Sequence, residues 1–176
     1  MVDEREGKAL VTKVVQRFKH DVEGNPQLIK DRLLSEQDIT TKFVLPMLKA
    51  FNWDCFKINA NGPEVHEKAF REKSNVGEGL PDIQLRSDNG TVFVEAKRPG
   101  DPRKGLVNLE RHHDADVIVL TTFRELEIYT RLKQQEPRER RSYNFKQYAE
   151  KFDELWANLS NTKEGKKTRA AFKATR

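Results

Sequence analysis

The chain has 176 residues, 35% of them charged, with a formal charge of +5 and a single cysteine. That length suits one domain with a substantial core, while one cysteine excludes an intramolecular disulfide and any multi-cysteine zinc site. No stretch approaches the roughly 20 apolar residues of a membrane span. The first residues carry no apolar run of the secretory kind, so a cytoplasmic protein without a membrane partner is expected. The modest basic excess fits a polyanionic partner and fits an ordinary charged surface equally well.

Leu10, Val11, Val14, Val15 and Phe18 fall on one helical face and predict a first helix. It should stop before the turn cluster Gly24-Asn25-Pro26. A second helix is expected from Ser35, a good N-cap with Asp38 three residues on, and its apolar face holds Ile39, Phe43, Met47 and Leu48. Pro46 should kink it. A short strand is expected at 55–58, with Cys55 as a core thiol, then a turn at 59–63, and a strand leading into a mobile loop over 64–77. Ile83-Gln84-Leu85 and Thr91-Val92-Phe93-Val94 read as a hairpin about an Asp88-Asn89-Gly90 turn. A helix over 103–113 follows. Val117-Ile118-Val119-Leu120 has the continuous apolar character of a strand buried on both faces, and Leu126-Glu127-Ile128-Tyr129 alternates as a strand near an edge would. Arg138-Glu139-Arg140-Arg141 reads as a charged connection. Phe145, Tyr148, Phe152, Leu155, Trp156 and Leu159 then predict an amphipathic helix, with a basic tail after Asn161. The expected organisation is an N-terminal helix and linker (1–34), a core (35–135), and a C-terminal helix and tail (136–176) that could connect to further domains. The fold class is α/β, a mixed central sheet flanked by helices.

The chemistry concentrates in the hairpin. Asp82 opens its first strand, and Glu95 and Lys97 close its second, two residues apart and therefore on one face. Each fragment alone is ordinary: a Glu and a Lys two apart on a strand are usually solvated, and Pro-Asp usually begins a turn. Together they follow the apolar run Val92-Phe93-Val94, where charges are costly unless paired or bound to a metal. Two carboxylates and a lysine at one sheet edge can hold a hard divalent cation and position a water, which is phosphodiester hydrolysis chemistry. The backbone carbonyl of Ala96 is a third candidate ligand. Lys97 would orient the attacking water or help deprotonate it, and would stabilise developing charge. Glu36, in the first turn of the second helix, is a candidate fourth acid for a second metal; a favourable helix-dipole interaction explains it equally well. Arg98, Arg103, Lys104 and Arg111 could grip phosphates or simply form a solvated helix face. Gly100 to Gly105 has the glycine spacing of a phosphate loop, but Leu106-Val107 stands where Lys-Ser/Thr is needed. The neighbours His112 and His113 point about 100° apart on a helix and make a poor metal pair.

Pro81-Asp82 with Glu95-Ala96-Lys97 resembles the signature of the PD-(D/E)xK nucleases. Glu36 followed by Pro46, Leu48 and Trp53 is similar to the helix opening the nuclease domain of type I restriction motor subunits and fused restriction–modification enzymes. Val119 to Tyr129, with Thr121-Thr122-Phe123-Arg124 at its turn, resembles the strand–turn–strand that follows the active site in that group. The resemblance covers about residues 35 to 130. It implies a restriction-endonuclease-like fold and a magnesium-dependent endonuclease acting on double-stranded DNA, with manganese able to substitute. Asp82 and Glu95 would be metal ligands, Lys97 the catalytic lysine and Glu36 the accessory acid. It also implies a methyltransferase, motor or specificity subunit or domain as partner, and a homodimer as an option. One departure is visible: where many members carry Gln and then an aromatic four residues on, this chain has Asn108 and His112. Two other readings stand beside this one, a DNA-binding module that does not cleave and a protein-interaction adaptor using the C-terminal amphipathic helix.

Overall fold

A computed structural model describes residues 2–53, 64–67, 82–87, 90–100, 115–130, 139–162 and 165. The strand expected at 55–58 with Cys55, the turn at 59–63, the Asp88-Asn89 turn and the loop at 74–77 lie outside these residues. So do the helix at 103–113, with Arg103, Lys104, Asn108, Arg111, His112 and His113, and most of the basic tail.

Helix α1 (Glu4–Phe18) starts at Asp3, which accepts from the Glu6 N–H while the Glu6 carboxylate accepts from the Asp3 N–H. This reciprocal cap satisfies two donors that the first turn leaves without helical partners. Val11 and Phe18 are buried as expected, whereas Leu10 lies on the rim. A π-helical turn, Lys19–Glu23, extends α1. The expected turn at Asn25-Pro26 instead opens a short helix, α2 (Pro26–Lys30), since proline's fixed φ and missing N–H suit the first helical position.

The helix from Ser35 forms as α3 (Glu36–Ile39), a π-helical turn (Thr40–Val44) and α4 (Leu45–Ala50). Ser35 and Asp38 make the expected capping box. Pro46 lacks the N–H that a regular ladder would use, and the widened turn falls just before it. Ile39, Phe43, Met47 and Leu48 are all buried, so the apolar face locks this segment against the sheet.

Among the described residues the sheet has six strands in sequence order: β1 (Glu64–Glu67), β2 (Ile83–Ser87), β3 (Gly90–Ala96), β4 (Val117–Thr121), β5 (Glu125–Thr130) and β6 (Glu139–Asn144). Every neighbouring pair is antiparallel except β3 with β4, which is parallel and so requires a crossover connection. The molecule is thus of α/β class with a mixed sheet. Two expectations need correction. The segment Leu126–Tyr129 lies one strand in from the edge, nearer to it than β4 as expected; the charged run read as a connection is instead, from Glu139 on, the outer strand β6. Charged side chains on an edge strand discourage pairing with a further strand, which explains its composition. The C-terminal helix is also not continuous: a 3₁₀ turn (Phe145–Gln147) and a non-helical turn precede α5 (Phe152–Leu159).

One face of the sheet carries the main core, to which residues from 1–34, 35–135 and 136–176 all contribute. Phe18, Phe43, Phe123, Phe145 and Tyr148 pack ring against ring at its centre. At Gly7 a Cβ would sit 2.6 Å from the Trp156 ring and 2.8 Å from the Ala50 carbonyl oxygen, so α1 approaches its neighbours as only glycine permits. Trp53 donates its indole N–H to the Leu159 carbonyl at 2.6 Å, tying the end of α4 to the end of α5. These contacts fix α3 and its first residue, Glu36, relative to the sheet. Among the described residues, no helix is long and apolar enough to cross a membrane.

Candidate active site

Ile83 pairs with Val94, so Asp82 stands beside Glu95 one step beyond the last paired residues. Asp82 Oδ2 accepts the Ala96 backbone N–H at 2.7 Å, which anchors this carboxylate to the end of β3. The ladder between β3 and β4 runs one residue further than the strand, with the Lys97 N–H donating to the Thr121 carbonyl at 2.8 Å. Lys97 is therefore held by its backbone, and its side chain shares a face with Glu95.

The Lys97 ammonium lies 3.5 Å from Glu36 Oε2, 3.7 Å from Glu95 Oε2 and 4.0 Å from Asp82 Oδ2. Glu95 is buried, Lys97 and Asp82 are partly buried, and Glu36 reaches in from the exposed end of α3. All four side chains singled out as the core of the site thus meet around one atom. None of the three distances is the 2.7–2.9 Å of a fully formed charge-assisted hydrogen bond. The cation is shared among three acids. Burial alone would push the Lys97 pKa down, but the fields of Asp82, Glu36 and Glu95 outweigh it and hold the group above its ordinary value. Lys97 is accordingly a cation at neutral pH: it can donate hydrogen bonds and offset negative charge, and it has no lone pair with which to take a proton.

Among the described residues, no three Asp, Glu, His or Cys side chains already close on one point as a metal cage does. The acids close on the lysine instead. A magnesium-type cation does not need such a cage, since it takes one or two carboxylates and completes its shell with water and substrate oxygens. The hard-oxygen pair Asp82 and Glu95, on adjacent strands with the Ala96 backbone between them, has the donor chemistry for that ion.

Of the four residues expected to contact DNA, Arg98 directly follows Lys97 and is half-buried; the other three lie outside the described residues. Arg98 lines a surface pocket of about 200 Å³ whose other walls include Ile29, Lys30, Arg32 and Leu34. Lys30 and Arg32 were not foreseen. A five-residue helix has too little periodicity to reveal itself, so nothing marked its end as a neighbour of the site. No protein-family model matches this chain, and no curated protein or solved structure is significantly similar to it.

Proposed function

We propose that this chain is a magnesium-dependent endodeoxyribonuclease of restriction-endonuclease-like fold, the nuclease module of a restriction enzyme. The observation that carries the reading is the convergence of Glu36, Asp82 and Glu95 within 4.0 Å of the Lys97 ammonium, from three separate parts of the chain. An ordinary surface has no use for three acids around one partly buried lysine. Asp82, Glu95 and the Ala96 carbonyl would hold the metal, with Glu36 available to a second one. When bound, magnesium supplies Lewis-acid polarisation of the phosphodiester and a more acidic water.

The residues of the chain do the rest. The Ala96 N–H keeps the Asp82 carboxylate aimed at the strand end. Glu95, fixed in the sheet and buried, presents its oxygens with little conformational freedom to lose. The Lys97 ammonium hydrogen-bonds the attacking water through its oxygen and offsets the charge that grows on the phosphoryl oxygens. Because Lys97 is already protonated, the proton leaving that water passes to a carboxylate, and Glu36, the most exposed of the three, is positioned to accept it. One P–O bond forms to the water oxygen as one P–O ester bond breaks, and the departing alkoxide takes a proton from solvent, leaving a phosphomonoester and an alcohol. In a restriction system, specificity and modification would come from a partner subunit or domain. The adaptor reading loses its basis, because the apolar face of α5 on which it relied is buried in the core.

Supercoiled plasmid incubated with the purified chain and magnesium should be nicked or linearised. EDTA should stop the reaction, and manganese should restore it. Intact plasmid at micromolar protein with either metal, while DNA binding persists, would leave the non-cleaving module as the correct description.

A further inference from the structure

We infer that the pocket between the end of α2 and the turn after Lys97 is a phosphate-binding pocket, which seats a phosphate of the nucleic acid strand next to the scissile one. The inference takes its substrate class from the nuclease reading above. Its own basis is the pocket.

Three cations, Lys30, Arg32 and Arg98, border a space of about 200 Å³. A cavity of roughly 150 Å³ already admits a benzene ring, so a phosphate group with an edge of its sugar fits here. Asp31, which separates two of these cations in sequence, is engaged by the Gln27 amide at 2.6 Å. Both rims lead straight into the site: Arg98 follows Lys97, and Leu34 precedes Glu36 by two residues. A polyanion approaching three clustered carboxylates is repelled, and at physiological salt only cations within about 8 Å offset that effectively. Arg98 is the residue next to Lys97 in the chain and lines the pocket at that edge of the site.

The backbone carries an independent sign. Helix α2 ends in a Schellman cap, with the Arg32 N–H bonding to the Ile29 carbonyl at 3.2 Å and the Leu33 N–H to the Leu28 carbonyl at 3.0 Å. This cap puts its central residue in the left-handed region, where glycine is the default, yet the residue is Arg32 with φ 56°. Helix α4 ends in the same cap with Asn52, which tolerates that conformation. An arginine held against its backbone preference beside a site points to a use for its charge. The facing wall is built by Gly100 at φ 90°, where a Cβ would press on Ile29 Cγ2 at 3.3 Å.

The test uses the full chain in EDTA, so that binding is read without cleavage. A fluorescein-labelled 20-base-pair duplex is titrated at several salt concentrations. Arg32→Gly should weaken binding several-fold and reduce the slope of log K against log[salt] by about 0.9, the loss of one phosphate contact. Its Tm should stay level or rise by about 2–4 °C, because glycine relieves the cap. Lys8→Gln, on the exposed side of α1, should change neither. If Arg32→Gly does not fold, Arg98→Gln must show the same loss of slope. A duplex with a 5′-phosphate, one with a 5′-hydroxyl and closed-circular competitor separate the sources. Equal losses on all three assign an internal diester, and a loss confined to the 5′-phosphate assigns a terminal monoester; either supports the pocket. Slopes unchanged beyond the Lys8→Gln control overturn it. A wild-type chain that binds but never cleaves refutes the nuclease reading alone, whereas cleavage with an unaltered Arg32→Gly slope refutes the pocket alone.

Discussion

Glu95 and Glu127 are two buried carboxylates in one row of the sheet, each directly opposite Leu120 from its own side. At two strand spacings their backbones are about 10 Å apart, yet they are treated differently. Glu127 accepts the Tyr129 hydroxyl at 2.5 Å and the Arg140 guanidinium at 2.6 Å, so it has a cation of its own at contact distance. Glu95 has the Lys97 ammonium at 3.7 Å and shares it with Asp82 and Glu36. The first arrangement cancels charge one against one and staples β6 to β5. The second gathers three acids around the Lys97 ammonium, none of them at full contact distance. Under the nuclease proposal, the difference separates a carboxylate that holds the fold from one that is set up for chemistry.

The sharpest way to break this comparison is to neutralise Glu95. Glu95→Gln keeps the shape and should lower plasmid cleavage by a factor on the order of 1,000, about 4 kcal/mol of barrier, with a Tm close to that of the parent. Calorimetry of the parent with manganese should show a weak binding event, and Glu95→Gln should abolish it. Lys97→Ala should match it in cleavage while leaving duplex affinity nearly intact, one lysine being a small part of a multi-phosphate contact. A Glu95→Gln protein that still cleaves at near-parental rate would reduce Glu95 to the status of Glu127.

Arg140→Ala should give the opposite pattern. It removes the partner of a buried carboxylate, at a cost of about 1–3 kcal/mol, reduced from the fully buried case because the arginine itself is half exposed. Denaturant titration measures that loss, and cleavage per folded molecule should stay unchanged. A large activity loss without a stability loss would show that this pair belongs to the site after all.

How legible each region was follows from the same contrast. Charges that interrupt an apolar run are conspicuous, so Asp82, Glu95 and Lys97 stood out, as did β4, whose five residues are all buried. The capping box at Ser35 was readable because it is made within four residues. Strand β6 was not, because only Tyr143 among the residues whose exposure is described is buried, and its arginines look like linker. Its partner β5 was legible as a strand nearer the edge, but Glu127 mimics a solvent-facing position, and only the fold reveals that Tyr129 and Arg140 enclose it. The approach of Glu36 to Lys97 and the clustering of Lys30 and Arg32 with Arg98 are products of tertiary packing, which no local pattern encodes. The resemblance supplied Glu36, and nothing in the sequence supplied the pocket.

Glu36 tests the comparison at a finer level. Glu36→Gln should lower cleavage about tenfold, the usual size of an effect from a group that supports a site without dominating it, and should leave the melting temperature nearly unchanged. An unaltered rate would return Glu36 to its helix-dipole role.

The smallest effect concerns Asp38, two residues along α3. Its carboxylate contacts the Lys42 ammonium at 2.6 Å and accepts from both the Ser35 hydroxyl and the Ser35 N–H, and these partners hold its pKa down to about 2. In an unfolded chain the same group titrates near 3.9. A depressed folded pKa means stability that is present above about pH 4 and lost as pH falls through 2. With part of the carboxylate exposed, its worth is about 1 kcal/mol. Asp38→Asn should therefore be less stable than the parent at pH 5 to 7, and the two unfolding curves should converge toward pH 2. A gap that persists at pH 2 would mean that shape, not charge, makes the cap. This variant also guards the Glu36 experiment, because it loosens the start of α3 without touching the cluster around Lys97. Asp38→Asn should cost stability but little cleavage, and Glu36→Gln cleavage but little stability. Equal losses of cleavage from both would show that the site needs only an ordered helix start, and that the charge of Glu36 takes no part in it.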